Sequence, residues 1–230
     1  MYKNKKIVVA TIIAMLFFAA SYSVLAQTGD QMTSSRPDAL ASYRLGRDLE
    51  NQGKNEDANT RYNEAVRICL DEIKSANATI DTYTVLTWTL NRQKKYNEVI
   101  VRGNEGLKIE IDYRIIETMG EAYFYLGNFP SSLQSMQRYT NALPQGDRAS
   151  VAYFFMGEVY RYQKKFNYAD IAYTTAVKLT PDSALWWFRL GLVREAAGNN
   201  QSALEAYNKA LQVDPNYAQA KNAVANLRRT

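Results

Sequence analysis

Histidine is absent from all 230 residues, and cysteine occurs once, at Cys69. Without histidine there is no imidazole acid–base chemistry, no Ser-His-Asp or Cys-His triad, and no use of the commonest zinc ligand. With a single cysteine no disulfide can form within the chain in any redox compartment, so the fold must stand on its apolar core. Cys69 itself reads as a small packed hydrophobe near a helix end rather than a reactive thiol. A phosphate-cradling glycine loop and clustered metal carboxylates are also missing. Only glutamate or aspartate would remain for general acid–base work. The sequence therefore predicts no enzyme, no catalytic residue, no cofactor and no metal site.

Charge of one sign is also in short supply once the N-terminus is set aside. The chain carries 28 basic and 23 acidic residues, with a pI near 9.1. Residues 1–26 hold Lys3, Lys5 and Lys6 and no acid, so the remainder has 25 basic against 23 acidic residues, a net charge of +2. Nucleic-acid binding needs a basic stripe, and that balance argues against it. After the lysines, Ile7 to Ala20 is apolar apart from Thr11, and Val24-Leu25-Ala26 presents small residues at both positions a signal peptidase inspects. A basic start, a short apolar core and such an exit predict a secretory signal peptide over 1–26. The alternative is an uncleaved membrane anchor, the only membrane contact expected. In both cases the lysines stay in the cytoplasm and the rest lies beyond the membrane, periplasmic or secreted. Gln27 stands where a lipoprotein would need cysteine, which argues against lipid attachment. Residues 27–38 read as a polar linker.

What is present is a repeat. Ser150–Ser183 and Ala184–Tyr217 align without a gap at an offset of 34 residues. Both carry an aromatic (Tyr153, Trp187), an apolar-Gly pair (Met156-Gly157, Leu190-Gly191), an Ala (Ala169, Ala203), a Tyr (Tyr173, Tyr207), a second Ala (Ala176, Ala210) and a Pro (Pro181, Pro215). Weaker copies occupy 39–72, 80–113 and 113–146. The copy at 80–113 is poorest, with Thr87 for Gly and Gly106 for Ala, but Gln93-Lys94-Lys95-Tyr96-Asn97 mirrors Gln163-Lys164-Lys165-Phe166-Asn167 and secures its register. Insertions follow the first copy (Ile73 to Thr79) and the third (Asp147 to Ala149). Apolar residues at helical spacing on two segments joined by a polar turn make each copy a helix hairpin. Gly127-Asn128 and Gly198-Asn199 mark turns, Pro181 and Pro215 helix ends, and Asp182 and Asn216 candidate N-caps.

This pattern resembles the tetratricopeptide repeat (TPR) family. The last copy matches seven of that family's eight consensus positions, with Arg194 where Tyr is usual. The resemblance implies an all-α, right-handed superhelix of about five stacked helix-turn-helix repeats over 39–230, closed by a capping helix at 216–229 whose Tyr217, Ala220, Val224 and Leu227 share one side. Single hairpins cannot bury their apolar faces alone, so neighbours must stack.

The resemblance also places a concave groove on the first helix of each repeat. By position it takes Tyr43 and Arg47; Trp88, Asn91 and Arg92; Glu117, Glu121, Phe124 and Tyr125; Phe154, Glu158, Arg161 and Tyr162; and Phe188, Leu192 and Glu195. Aromatics and arginine are the residue types enriched at binding hot spots, and such a row suits an extended peptide or an amphipathic helix. The competing reading is that Trp88, Phe124, Phe154 and Tyr162 pack between helices. TPR domains that clamp a chaperone's C-terminal carboxylate use Lys and Asn where this chain has Tyr43, Arg47 and Val85, with Arg114 a partial echo, so that mode is not expected here. The resemblance is to exported bacterial TPR proteins. It implies a non-catalytic scaffold that binds a protein or peptide during assembly of an envelope, secretion or transport complex. The alternative is a structural protein that associates with itself as a homo-oligomer.

Overall fold

A computed structural model of the chain describes residues 38–229. The expected signal peptide or anchor and nearly all of the linker lie outside the described residues. The remainder is all helical: α1 Ala39–Asn51, α2 Asn55–Lys74, α3 Ile80–Arg92, α4 Tyr96–Gly106, α5 Tyr113–Tyr125, α6 Phe129–Ala142, α7 Ala149–Tyr162, α8 Phe166–Leu179, α9 Ala184–Ala196, α10 Asn200–Val213 and α11 Ala218–Leu227. Each helix packs on the next, forming five hairpins and a terminal helix. The first helices α1, α3, α5 and α7 also touch in succession. This is an all-α helical repeat solenoid. Among the described residues no helix is long and apolar enough to cross a membrane.

Close approach inside the hairpins depends on one glycine facing one large side chain. A Cβ placed on Gly46, Gly157 or Gly191 would lie 2.6, 2.7 or 2.4 Å from ring carbons of Tyr62, Tyr173 or Tyr207. Those rings are buried, and their hydroxyls reach back to the first helix: Tyr62 donates to Glu50 at 2.7 Å, Tyr173 to Glu158 at 2.5 Å and Tyr207 to Glu195 at 2.5 Å. Burial first, then the carboxylate, pushes all three phenols above their ordinary pKa and keeps them donors.

The poorest sequence copy has a physical explanation. In repeat two the small residue sits on the other helix: Thr87 replaces the glycine of α3, while Gly103 occupies the large-residue position of α4. Met119 of the next repeat fills the space, its sulfur 2.6 Å from where a Gly103 Cβ would be. Tyr83 lies equally close over Gly106, and Thr87 satisfies its buried hydroxyl on the Thr84 carbonyl at 2.9 Å.

Helix ends agree with the sequence in part. Pro181 and Pro215 fall just past the C-caps Thr180 and Asp214. The expected N-caps need correction: Ser183 caps α9 by accepting from the Trp186 amide, and Tyr217 occupies that position for α11 with no side-chain cap. Asn216 instead donates its amide to Asp214 at 2.8 Å. The first insertion adds Ile73 and Lys74 to the end of α2 and then runs through a turn where Ala76 has φ 56°.

One turn position recurs in every hairpin with positive φ: Gly53 at 76°, Lys94 at 59°, Gly127 at 75°, Lys164 at 56° and Gly198 at 81°. Lysine adopts this conformation at a cost glycine does not incur. Lys164→Gly should therefore raise unfolding free energy by about 0.5–1 kcal/mol. Urea denaturation checks this, and an unchanged or lower midpoint counts against strain at that turn.

Candidate functional site

The first helices of repeats one to four and the second insertion together enclose an open cavity of about 840 Å³. Its aromatic wall is Tyr43, Trp88, Tyr96, Tyr125, Tyr139 and Phe155; its charged wall is Arg47, Glu50, Arg92, Lys94, Arg114, Glu117, Glu121, Asp147 and Arg148. Tyr43 tilts against Trp88 at 5.7 Å between ring centres, tying α1 to α3. Asp112 starts α5 by accepting the Arg114 and Ile115 amides. That cap also holds the Arg114 side chain at 2.5 Å, and the guanidinium reaches Asp81 at 2.7 Å and lies 5.9 Å over the Trp88 ring. Burial alone would raise the Asp112 carboxyl, but hydrogen bonds and charge from Arg114 hold it below its ordinary value.

The centre of the charged wall is a carboxylate pair. Glu117 and Glu121 lie one turn apart on α5, where residues spaced by four share a face. Both are buried, Glu117 to 1% exposure. Arg148 ties them together, donating to Glu117 Oε1 at 3.0 Å and pairing with Glu121, while Asn91 Nδ2 donates to Glu121 Oε2 at 2.9 Å. Burial first, then the Glu121 charge, pushes the Glu117 carboxyl well above the usual carboxylate range, and Arg148 opposes both. Arg148 comes from the second insertion, which Tyr139 anchors by accepting the Arg148 amide on its hydroxyl at 3.1 Å. On the neighbouring wall Arg92 pairs with Glu50 at 3.6 Å.

Of the expected groove positions, Tyr43, Arg47, Trp88, Asn91, Arg92, Glu117, Glu121 and Tyr125 line this cavity. The rest do not. Phe124 packs edge-on against Phe155 at 5.2 Å, and Phe154 stacks on Trp186 at 5.1 Å. Phe188 is buried against Tyr207 and Tyr217, and Leu192 packs on the same cluster. Glu158 is occupied with Tyr173, Arg161 and Arg189, and Glu195 with Tyr207. Tyr162 is exposed, with Arg161 over its ring at 4.6 Å. In repeats four and five these positions thus largely bind helix to helix. Sequence reading missed Arg148 and Asp147. Their signal was the insertion itself, a departure from the 34-residue rhythm. Cys69 is buried in the core, and that burial pushes its thiol up to about 12.

Comparison with known proteins agrees with this architecture. Residues 150–183 and 184–217 each match a family model of the tetratricopeptide repeat, so the chain carries TPR repeats. It is 26% identical over 186 residues to the human Protein O-mannosyl-transferase TMTC1, covering 80% of this chain and 20% of that protein. The chain thus spans about a fifth of that curated relative's length. Among solved structures it is similar to TTC0263, a thermophilic TPR protein of Thermus thermophilus. There the TM-score is 0.60 at 18% identity, over 84% of this chain and 100% of the other. It is also similar to YrrB, described as a TPR protein with an unusual peptide-binding site, with TM-score 0.54 at 17% identity over 83% and 93% of the two chains. At these identities the likeness is one of fold.

Proposed function

We propose that this chain is a non-catalytic scaffold that receives a segment of another protein in the cavity lined by its first four repeats. The observation that carries this reading is the cavity's lining. Aromatic faces, arginines and hydrogen-bonding side chains from four first helices converge there on one opening of about 840 Å³, the size range of a specific binding site. Such a surface binds through a few aromatic and arginine anchors. Peptide binding by YrrB, which shares the fold, supports the same use of the groove. The basic, apolar N-terminus supports work outside the cytoplasm, in assembly of an envelope, secretion or transport complex. Membrane contact is then confined to that segment, with the alternative of an anchor facing outward.

The test is a cross-linking pull-down from the producing cells, comparing wild type with Trp88→Ala/Arg47→Glu. Both residues line the cavity and neither is fully buried, so the variant should keep its helical circular dichroism. A defined protein captured by wild type and reduced at least about tenfold in the variant supports the reading. Equal capture would move binding to another face, and recovery of the chain alone would favour self-association.

A further inference from the structure

A periodic feature continues out of the cavity along the hairpin turns. Tyr96, the first residue of α4, stacks on Tyr125, the last residue of α5, at 4.7 Å and 13° between ring planes. One repeat later Phe129, the first residue of α6, stacks on Tyr162, the last residue of α7, at 5.5 Å and 21°. Each rung therefore joins the start of one second helix to the end of the following first helix. Phe124 bridges the rungs, its ring 5.4 Å from Tyr125 and 5.9 Å from Tyr162. The ladder stops at repeat five, where Ala196 ends α9 and offers no ring.

Tyr125 is 54% exposed and Tyr162 56%, among the most open aromatic side chains of the described residues. Within those residues no hydrogen bond engages the hydroxyls of Tyr96, Tyr125 or Tyr162. Burial first, then Tyr125 and Glu121 for Tyr96, and Glu121 and Glu158 for Tyr125, holds both phenols above their ordinary pKa, so they remain hydrogen-bond donors. The surface thus offers flat apolar rungs edged with unengaged donors. Its natural complement has rings or flat faces at matching intervals and backbone carbonyls free to accept.

We infer that the segment received by this protein is proline-rich and runs as a polyproline II helix across the Tyr96–Tyr125 and Phe129–Tyr162 rungs. The inference rests on the groove reading above and specifies its occupant. Successive first helices touch, so the rungs are spaced by about one interhelical distance, ~8–10 Å. A polyproline II turn of three residues advances about 9 Å, which brings prolines three apart onto successive rungs. Its backbone makes no internal hydrogen bonds, so its carbonyls can accept from the tyrosines. An α-helix covers the same distance in two turns, but its carbonyls are consumed by its own ladder and would leave those hydroxyls unused.

The test uses the full-length protein, a fluorescein-labelled oligoproline, and a fluorescein-labelled amphipathic alanine-rich helix of equal length and charge, read by anisotropy. Oligoproline should bind more tightly than the helix. Tyr125→Ala and Tyr162→Ala should each weaken it at least about fivefold, and Tyr162→Phe about threefold through loss of the donor alone. Both tyrosines are exposed, and unchanged helical circular dichroism verifies the fold of each variant. If the helix binds as well or better, with dependence on Trp88, the inference falls and the groove reading stands. If neither probe binds, the inference also falls, and the pull-down decides the groove reading independently.

Discussion

Leucine at Gly191 is expected to destabilise the protein by about 3 kcal/mol, at the upper end of overpacking effects, and to lower its melting temperature by about 6–12 °C. The reason is that the glycine's neighbour cannot move aside. A Cβ alone would lie 2.4 Å from both Cδ1 and Cε1 of Tyr207. That ring is fully buried and fixed at its far end by the hydrogen bond to Glu195. Gly120 provides the contrast. There a Cβ would meet the Cε of Met136 at 2.9 Å, the end of a flexible thioether side chain, so Gly120→Ala should cost less than about 1 kcal/mol. Thermal melts of the two variants side by side check the argument. An unchanged melting temperature for Gly191→Leu would mean that α9 and α10 do not meet at this residue.

The helix pairing of the two C-terminal hairpins was legible, though their N-caps were not, because each consensus residue there does one physical job. Gly191 admits Tyr207, Ala203 and Ala210 allow close packing, and Pro215 lies just past the end of α10. Repeat two was harder to read because the same volume is distributed differently. Thr87 and Gly103 exchange large and small between the helices, and Met119 from the next repeat supplies the missing bulk. A consensus aligned within one repeat cannot register compensation that crosses to the next.

The groove was legible over repeats one to three and not beyond. Position alone placed Tyr43, Trp88, Asn91 and Glu121 on the cavity. It could not register that Trp186 would stack on Phe154, or that the terminal helix would bring Tyr217 over Phe188. The aromatic ladder escaped for a related reason. Tyr125 and Tyr162 were expected as separate groove positions, but their stacking partners Tyr96 and Phe129 open second helices, which the family pattern leaves outside the groove. The largest omission was Arg148, read as part of an interruption and found at the centre of the charged wall.

Arg148→Ala is therefore expected to carry the largest electrostatic effect in the molecule. Removing the guanidinium leaves Glu117 and Glu121 facing each other in the wall of the cavity, with only Asn91 donating to the pair. Stripping one partner from a fully buried ion pair costs about 3–5 kcal/mol. Arg148 is itself 45% exposed, so water already screens part of the interaction, and about 2–3 kcal/mol at neutral pH is the reasoned figure. The pH dependence gives the effect a signature that simple loss of packing lacks. Glu117 has a folded pKa raised above its unfolded value, so ionisation disfavours the folded state. Below the unfolded pKa both states are protonated and the penalty is absent. It develops as pH rises from the unfolded carboxylate value through the raised folded one, and without Arg148 that window extends further upward. Urea unfolding of the variant should thus show a deficit that is smallest near the ordinary carboxylate value, about pH 4, and grows as the pH is raised toward about 8. Adding Glu117→Gln should recover most of the deficit at pH 8, since an amide keeps the shape and removes the unpaired charge. A deficit equal at both ends of that range, and untouched by Glu117→Gln, would instead reduce Arg148 to a packing residue of the insertion.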